Sequence, residues 1–433
     1  MKKILIITYY WIPSGGSGVQ RWIKFTKYLR QFGYEPVIYV PENPEYPSID
    51  FSLSSDIPCD ITVIKRPIWE PYNFYRLLTG KKNEPIKAGF ISEKGRKGLK
   101  DKVFFWIRGN FLIPDPRVFW VRPSVRFLSR YISENDINTV ITTGPPHSMH
   151  LIGWKLKKRN QNIKWIADFR DPWTKIYFYK DLKINPVSDY IHKKLELKIL
   201  TEADAITVVG KGMKADFERI TRKPVHIITN GYDEDDNLSD KITIDKKFTI
   251  SHIGLLTEKQ NPQLLWKALK ELCADNNDFR ENLTIQLVGN VDFAVLESIK
   301  KEGLSENLKQ VSYVSHDEAI KLQRASQVLL LLLVNLPETK NILTGKLFEY
   351  INARRPILCI GHSDGDAAEV IAQVNAGFSI DFTEKERMKE VVQTFYNQYT
   401  KGILKVESSS IEKFSRKSLT GELAELIKTL ATN

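Results

Sequence analysis

Residues 4–31 read ILIITYYWIPSGGSGVQRWIKFTKYLRQ and contain the most informative pattern of the sequence. The apolar run at residues 4–9 predicts a buried strand, and the glycine cluster within residues 13–18 predicts a turn. Residues 19–31 then show the apolar spacing of an amphipathic helix. Strand, turn and helix in this order are typical of a parallel sheet covered by helices.

The same alternation of apolar runs and amphipathic stretches continues along nearly the whole chain. The first half contains six predicted strands, at residues 4–9, 36–40, 139–143, 164–167, 205–209 and 225–229. The second half contains six more, at residues 248–253, 283–288, 310–314, 328–334, 356–360 and 378–381. This pattern predicts an α/β fold with two Rossmann-like, doubly wound domains. If the domains face each other across a cleft, the carboxyl ends of both sheets line it.

Changes in composition set the predicted domain boundaries. Residues 1–229 form the N-terminal domain, and residues 248–407 form the C-terminal domain. Between them, residues 230–247 are polar and acidic with an Asn-Gly turn signal, which predicts a linker. Residues 408–433 are predicted to end the chain with a helix, because four apolar residues recur at helical spacing: Leu419, Leu423, Ile427 and Leu430. We expect this helix to pack back toward the N-terminal domain.

Length and composition exclude several classes of protein. A chain of 433 residues with 42% hydrophobic and 27% charged residues is neither disordered nor collagen-like, and it is long enough for two domains. The longest apolar run, residues 328–334, is far shorter than the roughly 20 residues that cross a bilayer as a helix. The apolar start runs into Pro13 and glycines, which favours a strand over a signal peptide.

Three widely spaced cysteines, Cys59, Cys273 and Cys359, form neither a disulfide framework nor a metal-ligand pair. We therefore expect a cytoplasmic protein.

The net charge of +12 is unevenly distributed. Residues 81–108 contain nine Lys or Arg against three Asp or Glu, with aromatic residues among and just before them. Basic residues beside aromatic ones suit an anionic membrane surface, where each cation adds about 1 kcal/mol. No recognition motif for DNA or RNA accompanies them, so no nucleic-acid partner is expected. A solvated loop is the plain alternative.

The turn after the first predicted strand is the first candidate binding element. Gly15 and Gly16 allow the backbone to approach a ligand and expose amides at the start of a helix, which suits a phosphate or a sugar. The dinucleotide fingerprint is absent, because Arg21 stands where its third glycine would be. A tight turn that needs glycine only for its backbone conformation is the alternative.

Two further strands end in polar residues. The strand that ends near Thr143 leads to His147, and the next leads to Asp168, Arg170 and Asp171. Open α/β sheets bind ligands at this edge, so we take His147 and Asp168 as catalytic candidates. The alternatives are a capping or packing role for the histidine and an internal ion-pair cluster for the acids and the arginine.

In the second half, residues 341–350 follow a buried strand and open a helix. We expect that helix to start near Asn341, so that amides there, Thr344 and Gly345 face an anion with Lys346 nearby. Glu349 lies about one turn inside, where its carboxylate can accept hydrogen bonds from a ribose diol. A charge pair on a solvated helix face is the alternative.

Five stretches together carry a resemblance to a known family: KILIITYYWIPSGGSGVQRW, TTGPPHS, WIADFRDPW, ITNGYD and TGKLFEYINARRPIL. Over almost its full length the chain resembles the GT-B-fold glycosyltransferases of the family 4, or group 1, type. The resemblance implies a retaining hexosyltransferase that uses a nucleotide-diphosphate-sugar donor, held mainly by the second domain. It also implies a glycan or lipid-linked acceptor on the first domain and a role in cell-surface polysaccharide or glycoconjugate synthesis.

The resemblance also implies residue roles. Glu349 matches the second glutamate of the family's E-x7-E motif, which holds the ribose. Gly15 and Gly16 match glycines that line the reacting centre, and His147 matches a histidine near the transferring sugar. Asn341 stands in place of the motif's first glutamate, so the sequence departs from the family there.

A second departure concerns the donor phosphates. Family members often carry an arginine and a lysine after the first strand of the second domain, whereas here only Lys259 is available and Lys346 is the predicted substitute. Residues 233–236 contain an Asp-x-Asp pattern, but they fall in the predicted linker, where a solvated acidic loop is expected. We therefore predict metal-independent transfer without a cofactor, since the nucleotide-sugar is a substrate.

Lipid-linked acceptors are common among enzymes of this type. They favour peripheral contact of residues 69–108 with the inner face of the membrane. A nucleotide-sugar epimerase on the same fold and a non-catalytic GT-B-like binding protein remain the alternatives.

Overall fold

The computed structural model describes residues 1–46, 49–71, 106–233 and 242–432. The chain divides into two compact units. Unit 1 comprises Met1–Thr229 together with Arg416–Asn433, and unit 2 comprises Asn230–Ser415.

Unit 1 is built on a parallel sheet of seven strands. The strands are β1 Lys2–Ile7, β2 Tyr34–Pro41, β3 Thr62–Arg66, β4 Thr139–Gly144, β5 Lys164–Phe169, β6 Ala205–Val208 and β7 Val225–Ile227. Their order in the sheet is β3-β2-β1-β4-β5-β6-β7. The helices connecting them are α1 Ser17–Leu29, α2 Val118–Glu134, α3 Ser148–Arg159, α4 Pro186–Glu202 and α5 Lys211–Glu218.

Unit 2 repeats this plan with a parallel sheet of six strands. The strands are β8 Phe248–Ile253, β9 Leu283–Val288, β10 Leu308–Val311, β11 Val328–Leu332, β12 Ile357–Ile360 and β13 Gly377–Ile380. Their order is β10-β9-β8-β11-β12-β13. The helices are α6 Gln263–Asp275, α7 Asn277–Asn282, α8 Phe293–Lys301, α9 His316–Ala325, α10 Gly345–Asn352, α11 Asp366–Gln373 and α12 Lys385–Thr400.

Helices cover both faces of each sheet, which explains why the central strands are continuously apolar. In β1, Leu5 and Ile7 belong to one hydrophobic cluster of unit 1, while Ile4 and Ile6 belong to the cluster on the opposite face. In β11, alternate leucines divide in the same way between the two clusters of unit 2. Each unit therefore has two apolar layers with its sheet between them.

The last helix, α13 Arg416–Thr432, returns to unit 1. Its apolar face joins the hydrophobic cluster beside α1 through Leu419, Leu423, Leu426 and Ile427, with Leu430 partly buried. The residues just before it behave differently, because Ile411 and Phe414 are buried in a cluster of unit 2. The segment at residues 408–433 is thus divided between the units and is not one helix.

The predicted fold class is confirmed, and twelve predicted strands correspond to strands of the structure. One strand is missing from the prediction, β3 Thr62–Arg66. It lies at the edge of the sheet and is largely exposed, so it lacks the apolar run by which the buried strands were recognised. Most of the basic stretch, from residue 72 to residue 105, lies outside the described residues.

Within the part of the chain that the structure describes, none of the helices combines the length and the apolar character needed to span a membrane.

Candidate active site

Both sheets have a topological switch point, where successive connections leave toward opposite faces of the sheet. In unit 1 this point lies between β1 and β4, and in unit 2 it lies between β8 and β11. Gly15 and Gly16 follow β1, and His147 follows β4. Lys346 and Glu349 lie on α10, which follows β11. The candidate residues therefore lie at the positions where open α/β sheets bind ligands.

In unit 2, Lys346 meets the end of β8. Its Nζ donates to the backbone oxygen of Leu255 at 3.3 Å and lies 3.3 Å from His252 Nε2. His252 is buried, and its Nδ1 lies 3.0 Å from the Leu330 oxygen, so Nδ1 carries the ring proton and Nε2 accepts from the lysine. Two of the three ammonium hydrogens are thus used, and the third is available for a ligand.

Burial controls the charge of this pair. It lowers the pKa of Lys346 to about 8, although Glu349 acts in the opposite direction. Burial, with the neighbouring ammonium, also lowers the pKa of His252 to about 3. The histidine is therefore neutral at physiological pH, while the lysine is largely protonated and retains a cation that an anion would stabilise.

Gly254 provides the space for this lysine. Its φ is +122°, and a Cβ on this residue would lie 2.6 Å from Lys346 Cε and 2.7 Å from Nζ. A side chain at this position would be strained and would displace the ammonium. The end of β8 is therefore shaped around the lysine of α10.

The start of α10 differs from the prediction. The helix begins at Gly345 with Thr344 as its N-cap, whereas Asn341 lies in the preceding turn, so the predicted start was wrong by four residues. The hydroxyl of Thr344 is buried without a hydrogen-bond partner among the described residues, and it does not cap the helix. The first amides of α10 and this hydroxyl are thus unoccupied donors beside Lys346.

Glu349 lies one turn further along α10. Its Oε2 accepts a hydrogen bond from Gln323 Nε2 on α9 at 3.1 Å, and no described residue donates to its Oε1. Gln323 is 1% exposed, and its own Oε1 is buried without a partner in the described part of the chain. The carboxylate is therefore held from one side and free on the other, as a group that receives a diol would be.

Lys259 lies on the short 3-10 turn Glu258–Gln260 after β8, and its side chain is exposed. It belongs to the same edge of the sheet as Gly254.

In unit 1, the glycine loop opens α1. Gly16 has φ +111° and is the N-cap of the helix, without a side-chain hydrogen bond, and no acidic residue lies in the first turn. Gly15 is half-buried and Gly16 is exposed. The positive φ explains why glycine is required at Gly16.

Asp168 lies at the end of β5 and is 1% exposed. Its carboxylate accepts from Arg21 Nη2 at 3.0 Å, Trp22 Nε1 at 3.2 Å, Thr143 Oγ1 at 2.8 Å and Thr207 Oγ1 at 2.8 Å. Burial by itself would raise the pKa of this carboxyl, but Arg21 and the two hydroxyls lower it below its usual range. Four internal donors leave the carboxylate no free position for a substrate.

Arg21 completes this network. Its guanidinium also donates to the Thr229 oxygen at 2.6 Å and the Ile228 oxygen at 2.9 Å, at the end of unit 1. This geometry corresponds to the internal ion pair that the sequence left as an alternative for Asp168. A catalytic role for Asp168 stays a prediction beside this structural one.

His147 stacks on Trp173, with ring centroids 4.8 Å apart and an interplanar angle of 1°. Its Nδ1 is buried without a partner among the described residues. Burial, followed by nearby His150 and Arg170, holds the pKa of His147 well below its usual range. A neutral imidazole can exchange hydrogen bonds with a sugar hydroxyl but supplies no positive charge.

Asp115 performs the capping role that the sequence considered for His147. Its Oδ2 accepts from the Ser148 amide at 2.8 Å, and its Oδ1 accepts from the Ser148 hydroxyl at 2.9 Å.

Sequence reasoning missed His252 and Gln323. A faint signal exists for the first, since a histidine lies near the carboxyl end of the buried strand β8. No local signal marks Gln323, because its role depends on the packing of α9 beside α10.

The described residues include no group of three or more His, Cys, Asp or Glu side chains placed to share a metal ion. The acidic run lies mostly outside them, since only Asp233 of residues 233–236 is described. Metal independence therefore remains a prediction.

The sequence matches a known family in its second half. Residues 234–407 match the family model of the glycosyl transferases group 1. No curated protein sequence matches the chain.

Several solved structures share the fold of the whole chain. A glycosyltransferase from Rickettsia africae is 14% identical, with a TM-score of 0.62 over 100% of this chain and 99% of that one. Sucrose-phosphate synthase from Thermosynechococcus elongatus is 11% identical, with a TM-score of 0.61 over 99% of both chains. A mutant of S. aureus TarM, in complex with fondaparinux, alpha-GlcNAc-glycerol and UDP, is 11% identical, with a TM-score of 0.60 over 98% of this chain and 99% of that one.

At these identities the likeness concerns the fold, which is the GT-B architecture of two Rossmann-like domains. Residues 234–407 are thus similar to the group 1 glycosyl transferases, and the whole chain has the fold of GT-B glycosyltransferases.

Proposed function

We propose that this chain is a retaining, metal-independent glycosyltransferase that moves a sugar from a nucleotide-diphosphate-sugar to a glycan or lipid-linked acceptor. The observation that carries the proposal is the arrangement on α10. Lys346 is held over Gly254 beside the free amides of the helix start, and Glu349 presents a free carboxylate oxygen one turn later. Diphosphate and ribose are the two donor features that such groups recognise.

The chemistry follows from this assignment. The acceptor hydroxyl attacks the anomeric carbon, the bond between that carbon and the phosphate oxygen breaks, and the nucleoside diphosphate leaves with its electron pair. The hydroxyl proton departs with the leaving group or to solvent. Lys346 and the amides at the start of α10 offset the charge that develops on the diphosphate, which lowers the barrier.

Unit 1 is assigned to the acceptor side. Gly15 and Gly16 offer backbone amides at the start of α1, and His147 offers a neutral imidazole at the same edge of the sheet. We assign to these groups contacts with the transferring sugar and the acceptor. S. aureus TarM, whose structure contains UDP and alpha-GlcNAc-glycerol, supports a uridine nucleotide among the donors to be tried first.

The test is thermal unfolding of the whole chain with a panel of nucleoside diphosphates and nucleotide-sugars. A ligand at 100 times its dissociation constant stabilises a protein by about 2.7 kcal/mol, so the correct nucleotide should raise the midpoint clearly. Glu349→Ala should abolish this rise. Glu297→Ala, which removes an exposed glutamate from α8 of the same unit, should leave it unchanged.

The outcomes separate the candidate functions. Stabilisation that survives Glu349→Ala would contradict the donor assignment. Incubation with the stabilising nucleotide-sugar alone distinguishes a transferase from an epimerase, because only an epimerase accumulates an isomer of the intact donor. If no nucleotide stabilises the folded protein, a non-catalytic binding role replaces the proposal.

We also propose that the enzyme acts at the cytoplasmic face of the membrane in cell-surface polysaccharide or glycoconjugate synthesis. The outer face of α4 supports membrane contact, since exposed apolar residues stand beside lysines there. The apolar members are Val187, Tyr190, Ile191 and Leu197. Lys193 and Lys194 accompany them on the same helix.

Residues 106–111, which begin with the described end of the basic stretch at residues 106–108, adjoin this helix. Asn110 accepts from the Asn185 amide at 2.7 Å and from the Ser188 hydroxyl at 3.0 Å, while Trp106 and Phe111 remain exposed. Aromatic and basic groups on one surface favour an anionic bilayer. Sedimentation with vesicles containing phosphatidylglycerol, but not with phosphatidylcholine alone, is the expected result.

The paired substitution Tyr190→Ser with Ile191→Ser should weaken this sedimentation. Tyr313→Ser, which removes an exposed aromatic residue of unit 2, should not. Equal binding by all three proteins would exclude this surface.

A further inference from the structure

Arg170 is a charged group of unit 1 that the proposed function does not use. It follows β5 directly, and its guanidinium lies over Gly18 in the first turn of α1. A Cβ added to Gly18 would lie 1.5 Å from Arg170 Nη1 and 2.7 Å from Cζ. The absence of a side chain at Gly18 therefore creates the space that the guanidinium occupies.

The hydrogen bonds of Arg170 are incomplete. Its Nη2 donates to the Pro145 oxygen, and its Nε is buried without a partner among the described residues. No carboxylate of the described residues forms an ion pair with it. The nearest aromatic group is Tyr10, whose ring centroid lies 6.0 Å from Cζ. The buried Nε without an acceptor is costly, and the remaining N–H groups of this half-buried guanidinium are available to a ligand.

The surrounding charges do not remove this cost. Burial lowers the pKa of Arg170. The charges of Asp171, Asp168 and Tyr10 raise this pKa, whereas that of Arg21 lowers it further. The carboxylate of Asp168 is already occupied by four donors, as described above. Asp171 exerts the largest opposing attraction, but it is exposed and forms no ion pair with Arg170 among the described residues.

The start of α1 adds a second positive influence at the same place. This helix of 13 residues has neither a side-chain cap nor an acidic residue in its first turn. Its first amides, those of Ser17 and Gly18, lack intrahelical acceptors. A guanidinium beside the positive end of a helix dipole is unfavourable by itself, and an anion between them would reverse the sign of that interaction.

We propose that Arg170 and the first amides of α1 form an anion-binding subsite for a phosphate or carboxylate group of the substrate that unit 1 binds. This inference rests on the proposed function, in which unit 1 binds the acceptor. It makes the acceptor an anionic molecule, such as a phosphorylated or acidic sugar or a lipid-linked phosphate. Gly18 is the residue that keeps the subsite open.

The first test measures stabilisation of the whole chain by inorganic phosphate and by glucuronate, each compared with chloride at equal ionic strength. At least one of the two anions should raise the unfolding midpoint of the wild-type protein. Arg170→Gln should reduce that rise by half or more. Arg126→Gln, which removes an exposed arginine of α2 in the same unit, should leave it unchanged.

Gly18→Ala gives an independent readout, because it keeps the charge of Arg170 and adds only a methyl group to a helix. The methyl group must displace the guanidinium, so the anion-dependent rise should fall here as well. This variant decides the question if Arg170→Gln does not fold. Full stabilisation by phosphate or glucuronate in both variants would overturn the proposal. If Arg170→Gln does not fold, full stabilisation of Gly18→Ala would overturn it.

A second measurement distinguishes the acceptor's anion from the donor's diphosphate. Stabilisation by the nucleoside diphosphate should persist in Arg170→Gln and disappear in Glu349→Ala. Loss of nucleotide stabilisation in Arg170→Gln would overturn the proposal, because the anion would then be the donor's. Failure of every nucleotide to stabilise any variant would refute the proposed function, while the phosphate and glucuronate results would still decide the role of Arg170.

Discussion

Replacement of Asp168 by asparagine should destabilise unit 1 severely. The carboxylate has four donors, from Arg21, Trp22, Thr143 and Thr207, and it neutralises a guanidinium whose side chain is only 1% exposed. Asparagine retains one acceptor oxygen and turns an amide toward the remaining donors. At least two buried donors then lose their acceptor, at about 1–3 kcal/mol each, and Arg21 keeps an unpaired charge. Breaking a buried ion pair in this way costs about 3–5 kcal/mol.

The pH dependence of this effect has a definite sign. The pKa of Asp168 is lower in the folded chain than in the unfolded chain, so its stabilising contribution is complete at neutral pH. It disappears as the pH falls through the folded pKa. The difference between the wild-type protein and Asp168→Asn should therefore be constant from pH 6 to pH 8 and shrink only at strongly acidic pH.

Urea unfolding combined with hydrogen exchange of peptides from α1 and β5 measures this loss within unit 1. The control is Asp216→Asn, since Asp216 pairs with Lys175 at 2.6 Å on the surface of the same unit. Surface pairs contribute about 0–1 kcal/mol, so the control should change little. Equal effects of the two substitutions would refute the reasoning. Unchanged stability with abolished transfer in Asp168→Asn would support the catalytic role predicted from the sequence.

Three further predictions concern the donor site of unit 2. The affinity for the nucleoside diphosphate, measured by calorimetry, should fall about tenfold from pH 7 to pH 9. Lys346 has a pKa of about 8 and must be protonated to bind the diphosphate. An affinity that does not change with pH would contradict this role of Lys346. Gln323→Met keeps the side-chain length but removes the donor to Glu349. It should weaken the affinity for the nucleoside diphosphate about five- to tenfold, or about 1–1.4 kcal/mol. Unchanged binding would show that the carboxylate needs no such hydrogen bond. Gly254→Ala should lower the unfolding midpoint through its φ of +122° and should weaken nucleotide binding by displacing Lys346; wild-type binding in a folded variant would contradict that geometry.

The sequence predicted most of the fold because strand signals in buried parallel sheets are local. Twelve apolar runs correspond to strands, and their alternation with helices is enough to define two doubly wound units. The exposed edge strand Thr62–Arg66 was not predicted, because it contains no such apolar run. The start of α10 was placed too early, since propensity does not distinguish the turn at Asn341 from the first turn of a helix.

The candidate site could be predicted only in part. Its location at the edge of a sheet follows from topology, which the sequence indicates, but the contacts of each side chain depend on tertiary packing. Polar residues after strands pointed to His147, Lys346 and Glu349. Whether a polar residue at such an edge faces a ligand or the protein interior depends on residues far away in the chain. Asp168 shows this, since its donors include Arg21 and Thr143, which are distant from it in the chain.

The amino-acid sequence by itself determined the fold class, the alternation of strands and helices, and the edges where chemistry is possible, because these follow from hydrophobic periodicity and chain order. Which side chains contact each other depends on tertiary packing. It brings Lys346 to His252 across 94 residues and Arg21 to Asp168 across 147. It also places Arg170 over Gly18, with its Nε buried and without a partner among the described residues. Burial then determines the charge that each group carries, and no local pattern records the burial of a side chain by distant ones.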